Sequence, residues 1–163
     1  MRSVRIMVKV LSLAVLITVQ AYSRQEVTSL KGIKSVRVTI GYSNEIDGIS
    51  SFQLSNDIEL KLRQVGIKID PESDAELKVT VVIMDLDPKK EHHISGLYGT
   101  VELGLEQTVQ LLREQPSFVR ATTWTSGVTY LHGPPSDFGQ RCREFARDLT
   151  DYFMNAYLSA NTK

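Results

Sequence analysis

The stretch from Leu97 to Leu111 constrains this chain more than any other. Leu97, Val101, Leu103, Leu105, Val109 and Leu111 stand at odd positions, and Tyr98, Thr100, Glu102, Glu106, Thr108 and Gln110 at even ones. A helix repeats its faces about every 3.6 residues, so an alternation this long belongs to a strand with one dry and one wet face. Such a strand needs partner strands beside it and an apolar layer on its dry side.

The flanking sequence supplies both. Val36, Val38, Ile40 and Tyr42 alternate with Ser35, Arg37, Thr39 and Gly41, which predicts a first strand. After a loop over 43–49, Ser50 and Gln53 form a capping box for a helix whose stripe is Leu54, Ile58, Leu62 and Val65. Gly66 is a natural stop just past it. Ile67 and Ile69 make a short strand ended by Asp70-Pro71, and Ala75, Leu77, Val79, Val81 and Ile83 a longer one. Pro116 marks the turn after the long alternation, and Val119 to Leu131, rich in Thr, Val, Trp and Tyr, reads as a further strand. Gly133-Pro134-Pro135 ends it, and Ser136 or Asp137 is placed to cap a final helix. There Phe138, Cys142, Phe145, Leu149, Tyr152, Phe153 and Ala156 recur at helical spacing.

The order is β-α-β-β-β-β-α. Long strands joined by short loops pair antiparallel. The expected fold is therefore an α+β two-layer sandwich: a mainly antiparallel sheet of four to five strands with two helices packed on one face. The other face, carrying Glu102, Glu106 and Thr108, is expected to be open.

The N-terminus has a different character. Arg2, Arg5 and Lys9 precede the apolar run Val10 to Val19, and Val19-Gln20-Ala21 offers a signal-peptidase site. This is the three-part pattern of a secretory leader, and the run is about half the length of a membrane-spanning helix. Residues 1–21 are thus expected to be a cleaved signal peptide, 22–34 a flexible segment, and 35–160 a single domain, periplasmic or secreted. The whole chain has 19 basic and 19 acidic residues. Loss of the leader's three basic residues leaves an acidic excess, which argues against nucleic acid and anionic membrane as partners. The one cysteine, Cys142, lies far from the leader. No intramolecular disulfide and no lipid anchor at a mature N-terminal cysteine are expected.

Catalytic signals are weak. His92-His93 with Asp85, Asp87 or Glu91 could hold zinc, but the pair lacks the spacing of a helical zinc motif and sits beside Lys89 and Lys90, as a solvated loop would. Ser43 to Leu54 fails as a calcium loop because Leu54 stands where a bidentate glutamate is required. No nucleophile elbow, P-loop, dinucleotide fingerprint or CxxC occurs. Cys142 lies on the apolar stripe of the last helix, so burial is expected to make it inert. Trp124 shares strand parity with Val128 and Tyr130; core packing is expected for Trp124, with an outward aromatic strip as the alternative.

Val36-Arg37-Val38, the helix end Lys61-Leu62-Arg63-Gln64-Val65-Gly66-Ile67 and Ala75-Glu76-Leu77 opening a strand together resemble small bacterial periplasmic proteins of the lipopolysaccharide-assembly lipoprotein (LptE-like) type. The resemblance implies two helices on a four-stranded sheet, a closing C-terminal helix and a partner in the cell envelope. This chain lacks that family's N-terminal lipidated cysteine and has no basic cluster to carry over.

These features point to a non-catalytic binding or adaptor module of the envelope that needs no cofactor. Its partner is expected to be another envelope protein, and its contact surface Glu102, Glu106 and Thr108. The alternatives are a small-ligand or lipid carrier with an apolar pocket and, further off, a metal or thiol enzyme using His92, His93 or Cys142.

Overall fold

The computed structural model describes residues 28–43, 50–85 and 97–162. The strands are β1 (Ser35–Tyr42), β2 (Lys68–Ile69), β3 (Glu76–Asp85), β4 (Leu97–Leu111) and β5 (Ser117–Gly133); the helices are α1 (Ser51–Gln64) and α2 (Pro135–Asn161). They follow the expected β-α-β-β-β-β-α order and build a five-stranded open sheet in the order β2-β1-β3-β4-β5. The long part, β3-β4-β5, is antiparallel. β1 runs parallel to both of its neighbours. α1 returns the chain to the start of the sheet, and residues 70–75 then carry it from β2 on one side of β1 to β3 on the other.

Local chemistry sets the helix ends. The Ser50 hydroxyl accepts a hydrogen bond from the Gln53 amide at 3.3 Å, satisfying one of the unpaired donors of the first turn of α1. Gly66 takes φ +82, a left-handed conformation that a residue with a Cβ resists, and lets the chain turn into β2. α2 starts differently from expectation. Its N-cap is Pro134 with proline in the first turn, and neither Ser136 nor Asp137 caps it. Pro135 has no N–H to satisfy and a φ already suited to a helix, so the side-chain cap is dispensable.

Both helices lie on one face of the sheet, α1 over β1 and β2 and α2 over β4 and β5, in contact with each other. Ion pairs Lys61–Asp151 and Arg143–Asp57 join them. The core between the layers is built from Val36, Leu77, Val79, Val81, Val101, Leu103, Leu105 and Trp124 of the sheet. Leu54, Ile58, Leu62, Phe138, Cys142 and Phe153 of the helices close over them. The packing begins before residue 35. Leu30 and Ile33, within the segment expected to be flexible, are buried in the same core. Hydrogen bonds fasten this stretch to the end of α2, from Tyr157 Oη to the Ile33 carbonyl and from Asn161 to the Leu30 carbonyl.

β5 is two residues longer than β4 needs it to be. Ser126 and Gly127 stand against Leu103, and Thr123 is inserted between Trp124 and Thr122. Gly127 takes φ +74. Each insertion is a β-bulge and switches the faces to which the following side chains point. Trp124 is therefore buried under α2, whereas Val128 and Tyr130 point to the opposite, open face.

Candidate functional site

Among the described residues no helix covers the second face of the sheet, and its side chains fall into rows defined by strand register. From one end these are Glu76–Glu106–Thr122, Lys78–Gly104–Thr125, Thr80–Glu102–Val128, Val82–Thr100–Tyr130 and Met84–Tyr98–His132. The two ends differ in chemistry.

The end at which β3 begins is charged and internally paired. Glu76 accepts hydrogen bonds from the Arg37 guanidinium, from Thr39 Oγ1 at 2.8 Å and from Arg120 Nη2 at 3.2 Å. Arg120 also donates to the Asp74 carbonyl at 3.1 Å and lies 3.9 Å from Glu106, which Lys78 approaches equally closely. Asp74 accepts from the Thr108 amide at 3.0 Å and the Thr108 hydroxyl at 2.6 Å. The hydrogen bond from Arg37 holds the Glu76 carboxyl below the usual carboxylate range, against the opposing effect of its burial. The two bonds from Thr108 lower Asp74 in the same way.

The other end is apolar and open. Val82 is 37% exposed, Met84 52%, Val128 48% and Tyr130 80%. Tyr98 and His132 meet edge to face, with ring centroids 5.6 Å apart. Between the ends, Glu102 accepts a hydrogen bond from Thr125 Oγ1 at 2.9 Å.

The three residues singled out in the sequence thus share this face. Glu106 and Thr108 belong to the paired charge cluster, and Glu102 sits at the border with the apolar end. The sequence offered an outward strip at Trp124 and Tyr130 only as an alternative, because the Gly127 bulge breaks the parity that Val128 and Tyr130 share with Trp124. A glycine inside a β-branched run was the available signal. His92 and His93 lie outside the described residues. Among the described residues, no three His, Cys, Asp or Glu side chains form a group able to hold a metal ion. Cys142 is fully buried, and desolvation pushes its thiol up to about 11, which keeps it protonated near neutral pH.

A groove of about 450 Å³ lies between the helices, lined by Gln53, Ser136, Gly139, Gln140, Arg143, Glu144 and Arg147. Its walls are polar, unlike those of a lipid carrier. No helix among the described residues is long and apolar enough to cross a membrane.

No family model matches the chain, and no curated protein matches it. Solved structures do. The PelC dodecamer of Paraburkholderia phytofirmans is similar at 13% identity and TM-score 0.39, over 77% of this chain and 87% of that one. Rare lipoprotein B of Shewanella oneidensis is similar at 10% identity and TM-score 0.38, over 76% and 94%. A minor lipoprotein of Acinetobacter baumannii is similar at 8% identity and TM-score 0.34, over 78% and 93%.

Proposed function

We propose that this chain is a non-catalytic binding or adaptor module of the cell envelope, presenting its open sheet face to a protein partner. One observation carries the reading: the face combines an exposed apolar end with an adjoining charge cluster whose members are already paired with one another. Apolar side chains at the centre of an interface supply affinity, and a polar border supplies orientation. The leader pattern of residues 1–21 and the resemblance to periplasmic assembly lipoproteins support the envelope as the place.

A photoreactive residue in place of Glu102, with a second variant at Met84, tests the reading in intact cells. Crosslinking from both positions to one dominant envelope protein, identified by mass spectrometry, is the expected result. If the folded and exported variants capture no other protein, the adaptor reading fails.

A further inference from the structure

We infer that the tip of the β4–β5 hairpin is a membrane-contacting element, through which Leu112 and Phe118 seat this domain in the headgroup region of a zwitterionic lipid surface. β3 pairs with β4 only as far as Glu106. The loop before β3 reaches two residues further, where Asp74 accepts from Thr108 of β4 and from Arg120 of β5. Beyond that level β4 and β5 continue as a pair with no third strand among the described residues, in the register Val109–Val119, Gln110–Phe118 and Leu111–Ser117. From Thr108 to Leu112 the hairpin projects about 13 Å.

The projecting end is apolar and uncharged overall. Leu112 is 90% exposed, Phe118 70% and Val119 37%. Arg113 and Glu114 in the turn cancel, and Arg120 is already engaged by Asp74 and Glu76. Such a tip has no Coulombic attraction to an anionic surface, in keeping with the acidic excess of the chain without its leader. Nor does it offer what a protein partner needs. An aromatic side chain buries about 250 Å² at most, so two side chains on a convex tip fall well short of the roughly 800 Å² per partner of a specific protein interface. A bilayer closes round single side chains and requires no matching surface. Apolar groups that lie in the interface enter it by about 5–10 Å, a depth the projection allows and at which water still reaches the outward backbone groups of the two strands.

The chain enters the domain at this same end. Residues 31–35 face Gln107 across a groove of about 420 Å³, and the described chain begins just before them, at Thr28. Residues 20–27 alone separate Thr28 from the apolar run Val10 to Val19, which has the pattern of an export leader. Fully extended, they span at most about 28 Å. A leader held in a membrane during export therefore brings this end of the domain, and the tip on it, to the bilayer surface.

A fluorophore sensitive to its surroundings, attached at Ser117→Cys, tests the inference on the purified protein. Ser117 is exposed between Leu112 and Phe118, and Cys142 is fully buried, so the label goes to the new thiol. Addition of phosphatidylcholine vesicles should shift the emission to the blue, and quenchers attached to the lipid should reach the label. The same label at Tyr130→Cys, towards the other end of β5, should do neither. Leu112→Ser combined with Phe118→Ser removes only exposed side chains and should lower the partitioning about a hundredfold. Replacing part of the phosphatidylcholine by phosphatidylglycerol should change it little. No shift at Ser117, an equal shift at Tyr130, binding that survives the double substitution, or binding only to the anionic vesicles each overturns the inference. So does a photoreactive residue at Leu112 that captures one protein in intact cells while the vesicles give no shift, since the tip would then fill a protein socket. The adaptor reading is judged separately, by the crosslinks from Glu102 and Met84.

Discussion

The two faces of this one sheet are made by the same strands and held by different physics. On β4, Leu103 is buried under the helices while its neighbour Glu102 points to the open side. The covered face is close-packed, with Trp124 against the rings of Tyr152 and Phe153 at centroid distances of 5.7 and 5.0 Å. The open face is settled by pairing, as Arg37 and Arg120 share Glu76. Burial of apolar surface yields several kcal/mol per large side chain, and a solvated ion pair about 1 kcal/mol or less. The fold therefore depends on the covered face more than on the open one.

The largest effect is expected at Phe153 of α2, which is fully buried against Trp124. Phe153→Ala removes the ring and leaves a cavity that the neighbouring strands can only partly fill. A loss of about 3–5 kcal/mol in urea unfolding is expected. A loss below about 1 kcal/mol would mean that the covered face does not carry the fold.

Next is Gly99, on the covered side of β4. A Cβ there would come within 2.6 Å of the Val82 carbonyl oxygen and 2.9 Å of Phe138 Cζ. A backbone oxygen in a sheet cannot step aside, so Gly99→Ala forces the strands or α2 apart. Overpacking of this kind costs about 1–3 kcal/mol or more. A thermal shift of the variant, read together with Gly99→Ala/Phe138→Leu, separates the two contacts. Partial recovery in the double variant is expected, because the smaller side chain relieves the ring but not the carbonyl.

Much of this contrast was legible in the sequence. The alternation of β4 named buried Val101, Leu103 and Leu105 in advance, since a period of two survives wherever strands pair without interruption, while Leu97, Val109 and Leu111 near its ends are only half-buried. Ser50 and Gly66 bounded α1 because capping and left-handed turns are local chemistry. Two features were less accessible. The position of β1 between β2 and β3 depends on a crossover, and no side-chain pattern reports which edge a strand joins. The apolar end of the open face depends on the bulge at Gly127, which changes the parity of β5 between Trp124 and Val128. Both candidate carboxylates lie on the open face, but the approach of Arg120 and Lys78 to Glu106 required long-range register.

The charge cluster offers a smaller effect with a sign. Glu76 and Asp74 are both lowered, chiefly by hydrogen bonds from Arg37 and Thr108 respectively. A carboxyl that is more acidic in the folded state stabilises that state above its unfolded pKa, near 4. That contribution is lost as pH falls from there through the depressed value. Glu76→Gln should cost about 1 kcal/mol at pH 7 and flatten the acid limb of the stability profile below pH ~4. An unchanged acid limb would show that the open face is not held by these pairs.

The smallest effect sharpens the comparison most, because it repeats the Gly99 substitution five residues along the same strand on the opposite face. A Cβ at Gly104 would meet Thr122 Cγ2 at 3.7 Å and the Trp124 carbonyl at 3.8 Å, ordinary contacts that require no movement. Glycine in a strand loses more freedom on folding than alanine, so Gly104→Ala has a reason to stabilise and none to clash. Thermal unfolding should show a gain of up to about 1 kcal/mol. If Gly104→Ala instead loses as much as Gly99→Ala, the open face is as tightly constrained as the covered one, and its freedom to adapt to a partner is lost with the distinction.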